Sequence, residues 1–223
     1  METGKIATGS DVLDALLEGG FDDDVITTLY GPSSSGKTCF CLQAALAVAK
    51  GRKVFYIDTE GGFSPIRALQ LSNNDKKTWE KVILFSPTSF EEQHTLVTQV
   101  SEMINDKVGL VILDSIAMLY RLEMHKADDI HPVNRKLALQ LGTLNEITRK
   151  HHIPVLITNQ VYAHFDDNNI RMVGGDLLKY SSKCLIELHK NDTRRKAILH
   201  KHRSLPLKEA SFEIKREGTI ISK

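Results

Sequence analysis

One octapeptide limits this chain more than anything else in it: Gly31, Pro32, Ser33, Ser34, Ser35, Gly36, Lys37 and Thr38 in succession. It satisfies the pattern G-x-x-x-x-G-K-[ST] at every fixed position. Each residue type has a physical reason to stand where it does. Glycines let the backbone fold tightly enough for successive N–H groups to converge on phosphate oxygens. The helix that follows adds the partial positive charge of its N-terminus. The lysine reaches the β- and γ-phosphates, and the threonine hydroxyl ligates Mg²⁺. Such a loop works between a strand and a helix, and both are legible here. Residues 25–30, VITTLY, are an apolar run of strand length, and residues 39–50, CFCLQAALAVAK, read as a helix. The octapeptide is therefore read as a nucleotide site, with all eight of its residues binding and with ATP and Mg²⁺ as cofactors.

The alternation continues along the chain. KVFYID (53–58), KVILF (81–85), VGLVILDS (108–115) and IPVLITN (153–159) are further strands. The run at 108–115 is so uninterruptedly apolar that it belongs at the sheet centre. Between them, Pro65 suits the first turn of a short helix, and Ser89 with Glu92 has capping-box spacing for one running to about Ile104. Pro132 opens a long helix to about Lys150. Beyond Gln160 the character changes. Residues 161–175 are polar and read as a mobile loop, while CLIELHK, KAILHKHR and SFEIKREGTII read as hairpin strands, the first pair turning at Asn191 and Asp192. The expected fold class is α/β, a mostly parallel central sheet flanked by helices with antiparallel hairpin strands at the C-terminal end.

The 223 residues fit a single domain spanning 1–223, large enough to need no metal or disulfide for stability. A formal net charge of +1 gives no global reason to bind nucleic acid, so any such site must be a local patch. Cys39, Cys41 and Cys184 read as small buried residues in a reducing compartment. With no signal-peptide pattern and no membrane-length apolar run, the reading is cytoplasmic, without a membrane partner.

A phosphate cradle needs acidic help. Asp114 ends LVILD, and the C-terminal edge of a parallel sheet would set it beside the cradle to hold magnesium together with Thr38. Hydrolysis also needs a group that orients the attacking water. YIDTEGG offers Glu60 just past its strand, with Asp58 as the competing carboxylate; Glu60 is preferred because it lies beyond the strand end.

Taken together, GPSSSGKT, VFYIDTEGGFSPIR, LVILDS and VLITNQV resemble, in order and spacing, the ATPase core of the RecA/RadA recombinases. The resemblance covers essentially the whole chain and implies a RecA-like P-loop ATPase core. It implies that Glu60 is the catalytic carboxylate, acting with Lys37, and that Gln160 is a polar sensor linking the γ-phosphate to the loop beyond it. The chain departs from RadA itself. It reaches its first core strand by residue 25, without room for a helical N-terminal domain, and contains no Phe-x-x-Ala oligomerisation hook. It carries KHRSLP where RadA has an Asp-Ser-Pro cap. Those departures resemble core-only archaeal paralogs of RadA. The implied function is an ATP- and DNA-binding repair protein with feeble ATP turnover. The implied partners are single-stranded or branched DNA, the RadA recombinase, a Holliday-junction resolvase and further copies of the chain itself. The alternatives are a KaiC-like regulatory ATPase without DNA binding and a P-loop phosphotransferase.

In such assemblies ATP lies between subunits, and a basic pair from the neighbour touches the γ-phosphate. Strand alternation puts Lys201 and Arg203 on one face to serve as that pair, with His202 on the other to meet DNA or solvent. A rival reading takes the whole basic tract from Lys190 to Arg203 as a stripe facing a DNA backbone. The family's two DNA loops match residues 121–135 and 161–175. Arg121, Arg135, Arg171 and Lys179 are the expected phosphate contacts, with Tyr162 and Phe165 placed to stack on bases.

Overall fold

The computed structural model describes residues 4–163, 170–191 and 194–222; Phe165 and Asp192 lie outside the described residues. Two short strands, β1 (Lys5–Ile6) and β2 (Phe21–Asp22), pair around α1 (Asp11–Leu17). Alternation then begins with β3 (Ile26–Gly31), α2 (Lys37–Ala49), β4 (Lys53–Asp58), α3 (Pro65–Leu71), α4 (Lys76–Trp79) and β5 (Val82–Phe85). It continues through α5 (Phe90–Glu102), β6 (Val108–Asp114), α6 (Met118–Lys126), α7 (His131–His151) and β7 (Val155–Ala163). The chain closes with β8 (Ile170–Met172), α8 (Gly175–Ser181), β9 (Cys184–Asn191), β10 (Arg194–Lys201), β11 (Lys208–Lys215) and β12 (Gly218–Ile221).

The main sheet has the order β12-β11-β10-β9-β3-β7-β6-β4-β5, with β8 hanging from β7. From β9 to β5 the strands run parallel, and β10 to β12 return antiparallel, as the sequence pattern predicts. Period-two alternation divides the core. Leu29, Tyr56, Leu110, Ile112 and Leu156 pack with Phe40, Leu188 and Phe212 on the α2 face. Their neighbours Phe55, Ile57, Val111, Leu113, Val155 and Ile157 meet Val97, Leu137 and Leu144 on the α5 and α7 face. Burial on both faces is why these strands read as unbroken apolar runs.

Helix α2 is buried nearly all round, which explains its alanines. Gln43 ties its outer side to the chain ends, donating to Gly9 O (3.1 Å) and accepting from Thr219 Oγ1 (2.7 Å). At α5 the Ser89 cap accepts from the Glu92 N–H at 3.1 Å, while Glu92 reaches one residue further back, to the Thr88 N–H at 2.7 Å.

Three local readings change. The stretch 121–135 is helical through Lys126 and again from His131, since it holds the end of α6 and the start of α7. The stretch 161–175 is not a loop throughout: β7 extends to Ala163 and pairs antiparallel with β8, and α8 begins at Gly175. A hairpin standing off the main sheet needs no apolar alternation, so its sequence gives no strand signal. The last apparent strand is two, β11 and β12, turning at Arg216 and Glu217. No helix among the described residues is long and apolar enough to cross a membrane.

Candidate nucleotide site and the basic edges

Strand β3 delivers the phosphate loop to the C-terminal edge of the sheet, between β7 and β9. The fit is close: a Cβ at Gly31 would stand 2.3 Å from Leu188 O. Left-handed backbone at Ser34 (φ 61°) and Gly36 (φ 115°) turns the loop into α2. Glycine is required at Gly36, where an added Cβ would also meet Ile214 Cδ1 at 3.1 Å. The Lys37 ammonium donates to Gly31 O and Pro32 O, both at 2.9 Å. Burial pushes its pKa down, against the upward pull of the Glu60 and Asp114 carboxylates.

Asp114 ends β6 and is 3% exposed. It accepts from Tyr56 Oη at 2.9 Å and from the Thr158 hydroxyl. Burial raises its pKa, and the nearby hydroxyls of Thr158, Thr38 and Tyr56 oppose the rise. Asp58, the competing carboxylate, is occupied otherwise. Its oxygens accept the N–H groups of Glu60 (3.2 Å), Gly62 (3.0 Å) and Phe63 (2.9 Å), which shapes the turn that presents Glu60. Gln160 Nε2 donates to Glu60 Oε1 at 2.9 Å across the cleft. The loop, Glu60 and Gln160 line a cavity of about 310 Å³ whose remaining walls are Cys39 and Ile214.

A triphosphate suits this cradle. Ser35 Oγ is buried without a partner, and the Lys37 ammonium is held only by the loop's own carbonyls. The Thr38 hydroxyl stands near enough to Asp114 to oppose the rise in its pKa, so these two side chains would be the ones to hold a magnesium ion. Among the described residues no three His, Cys, Asp or Glu side chains converge as a metal site. Magnesium here would therefore take most of its ligands from phosphate and water.

Sequence reasoning missed Ile214, Tyr56 and Thr158. Strand parity pointed to the last two, because Tyr56 lies two residues before Asp58 and Thr158 two before Gln160. Ile214 had no local signal, since only the placement of β11 brings it to the loop.

The basic residues divide differently from expectation. Strand β10 ends at Lys201 with a register shift after Leu199, so simple alternation does not extend to residue 203. Lys201 Nζ donates to Lys179 O at 2.6 Å. The His202 side chain is 2% exposed, with Nε2 3.4 Å from Asp22 and Nδ1 accepting from Ser204 N–H. It is a structural residue facing inward, not a DNA contact. Arg203 forks onto Asp24 (2.8 and 2.6 Å) and reaches Asp22 through Nε (3.0 Å). It is an anchored guanidinium rather than a free finger. Both aspartates precede β3 whereas the phosphate loop follows it, so Lys201 and Arg203 stand at the opposite sheet edge from this chain's own cavity. The tract from Lys190 to Arg203 accordingly crosses the sheet from edge to edge and does not form one stripe.

This anchor makes a prediction. Hydrogen bonding to Arg203 holds the Asp24 carboxyl below its usual range. A depressed carboxylate pKa contributes stability present above the unfolded value near 4, and lost as pH falls through the folded value. Arg203→Ala should therefore destabilise the protein at pH 7 by no more than about 1 kcal/mol in such a partly exposed pair, seen as a lower melting temperature. The difference from wild type should close below about pH 4. A gap that persists unchanged at pH 3 would refute the linkage.

Arg121 on α6 lines a second cavity of about 560 Å³ with Met124, Val173 and Gly174, so the two predicted DNA loops do meet in space. Arg135 is exposed on α7 and lines a separate hollow with Asp129. Lys179 is exposed on α8, and Arg171 lies on β8 opposite Tyr162.

A strand, phosphate loop and helix, with an aspartate on the central strand and a Glu–Gln pair across the cleft, define the class: a RecA-like P-loop core. The Rad51 family model matches residues 1–222, and the chain belongs to that family. Within it, the chain is similar to the DNA repair and recombination protein RadB of Methanococcoides burtonii, 42% identical over 197 residues and 87% of each protein. It is likewise similar to RadB of Methanobrevibacter smithii, 40% identical over 227 residues, 97% of this chain and 95% of that one. A crystal structure of the RadB recombinase matches with a TM-score of 0.82 at 36% identity, covering 96% of this chain and 98% of that chain. The expected family and fold both stand.

Proposed function

We propose that this chain is an ATP- and DNA-binding accessory factor of homologous recombination and DNA repair. Magnesium ATP serves it more as a conformational ligand than as fuel. The observation that carries this reading is the Gln160–Glu60 hydrogen bond, 2.9 Å long, which spans the cleft from the turn after β4 to β7, the strand that continues into the β7–β8 hairpin.

Bound magnesium ATP supplies a γ-phosphoryl group open to in-line attack by water. Glu60 orients that water with the carboxylate oxygen that Gln160 leaves free. Lys37 would hold the phosphates, and Thr38 with Asp114 would hold the magnesium ion. Lys37 is the only cation among the described residues lining the cavity, so developing charge is poorly stabilised in a lone chain and turnover is slow. Lys201 and Arg203 serve ATP only in the site of a neighbouring copy, and Arg203 must first leave Asp24.

DNA binds where α6 meets the segment after β8, through Arg121, Arg135, Arg171 and Lys179. A DNA strand there biases the hairpin and, through Gln160, the position of Glu60. The RadA recombinase is the expected protein partner, with a Holliday-junction resolvase as a further one.

Two measurements test this. Phosphate release by dilute protein should be slow and should change when single-stranded DNA is added. DNA affinity should fall steeply with salt, and Arg121→Ala and Lys179→Ala should each reduce the salt slope by about 1. Rapid turnover by a dilute monomer would count against the switch reading. Failure to bind DNA at low salt would favour a regulatory ATPase instead.

A further inference from the structure

Another hollow, of about 550 Å³, opens at the sheet edge opposite the nucleotide cavity. Its walls include Arg149 on α7, Tyr180 and Ser181 at the end of α8, Lys183, and the Asp24–Arg203 pair. Three cations therefore line one hollow that has a single carboxylate in its wall. That carboxylate is taken, because both Asp24 oxygens accept from Arg203, at 2.8 and 2.6 Å. The Arg149 guanidinium and the Lys183 ammonium form no hydrogen bond or ion pair with any described residue. Lys150, the next residue on α7, shows the contrast, since it meets Glu146 one turn back. Lys201 adds a further charge, with its ammonium donating to Lys179 O at 2.6 Å. Its pKa is pushed down by burial and by the like charge of Lys183, so repulsion among these cations is unrelieved. A recess lined by one sign of charge concentrates counter-ions in a way that a single solvated lysine does not.

Two features point to a nucleic acid as the anion. The first is Tyr180, which is 77% exposed and stands in the wall beside the cations. Single-strand surfaces combine such parts, with bases stacked on aromatic rings and cations following the phosphates. The second is continuity. Gly175, at the start of α8, lines the cavity that also holds Arg121, whereas Tyr180 and Ser181, at its end, line this hollow. Lys179 is exposed between them. The seven residues of α8 make it about 10 Å long, which about three stacked nucleotides would cover.

We propose that the hollow formed by Arg149, Tyr180 and Lys183 is a second contact for the DNA strand held at Arg121. The two cations meet phosphates, and the tyrosine ring stacks on a base. The proposal rests on the DNA-binding reading above and extends the strand's path along α8 to the opposite sheet edge. Arg203 stays with Asp24 and takes no part. A neighbouring copy whose nucleotide is served by Lys201 would cover this face, so the contact belongs to a chain without a neighbour on that side.

The test is fluorescence anisotropy of a labelled oligo-dT strand about 20 nucleotides long across a salt series. It compares wild type with R149Q/K183Q, Y180A, R121A and K76Q/K77Q, and circular dichroism melts check that each is folded. R149Q/K183Q should lower the salt slope by about 1.4, the value for two phosphates of a single strand. Y180A should weaken binding at least about 5-fold with an unchanged slope. K76Q/K77Q removes the same charge from α4 and should leave the slope as in wild type. An unchanged slope in R149Q/K183Q, alongside a loss of about 1 in R121A, overturns this proposal and leaves the DNA face at Arg121 intact. An equal loss in K76Q/K77Q also overturns it, since overall charge would then be the cause. Absence of binding by wild type defeats both readings. Sedimentation of the same proteins completes the comparison: if R149Q/K183Q alters self-association and not the slope, the hollow is a contact between copies and the proposal is wrong.

Discussion

Lys37→Ala is expected to lose at least about 100-fold in affinity for magnesium ATP while the nucleotide-free protein stays folded. The asymmetry follows from where the ammonium sits. It is 7% exposed, and its two protein acceptors are carbonyls of the loop it serves. Burial already works against its charge, so deleting it removes a desolvated cation as well as two hydrogen bonds, and the net change in stability is small. Binding is different. Charge-assisted hydrogen bonds to phosphate are worth about 1.5–3 kcal/mol each, and two of them account for at least a 100-fold change. Calorimetric titration reads the affinity directly, and the ligand-induced rise in melting temperature gives an independent measure that should vanish in the variant. Binding by Lys37→Ala within threefold of wild type would mean that the nucleotide, if it binds, binds elsewhere.

Gly31→Ala should destabilise the protein by about 3 kcal/mol, a large effect for one methyl group. The added Cβ would lie 2.3 Å from Leu188 O, a backbone atom of the adjoining strand, so no rotamer change relieves the overlap. Either β9 separates from β3 or the end of β3 is displaced relative to Gln160, its partner on β7. Both movements disturb the phosphate loop, so nucleotide affinity should fall along with stability. Gly51→Ala is the matched control, since a Cβ there meets nothing within 4 Å. Urea denaturation should show a lower midpoint with an unchanged slope for Gly31→Ala and little change for Gly51→Ala. Equal midpoints for the two variants would show that β9 yields more readily than the close contact implies.

The parts of the site that were legible in the sequence are those whose chemistry is local. The phosphate loop carries its own turn residues and its own cation, and its strand and helix differ sharply in periodicity. Asp114 could be placed because a buried run such as LVILD ends at the sheet edge where β3 also ends. Glu60 was preferred to Asp58 on position alone, and the structure supplies the physical reason: three backbone N–H groups engage Asp58. The misreadings fall where local pattern carries little information. Polar composition at 161–175 and the family resemblance at 121–135 suggested loops, yet part of each is regular structure. The expectation for Lys201, His202 and Arg203 assumed an uninterrupted strand, and the strand ends at the first of them.

From its residues alone, this chain is committed to a parallel sheet with a phosphate loop at one edge, because periodicity and turn chemistry are properties of neighbours in sequence. The tertiary structure alone determines which charges are free. Arg203 is neutralised by aspartates that precede β3, His202 is turned inward beside Asp22, and the Arg195 Nε, opposite Phe212, is buried without an acceptor. Counter-ions are chosen by proximity in space, and the antiparallel return of the last strands creates that proximity across nearly the whole length of the chain.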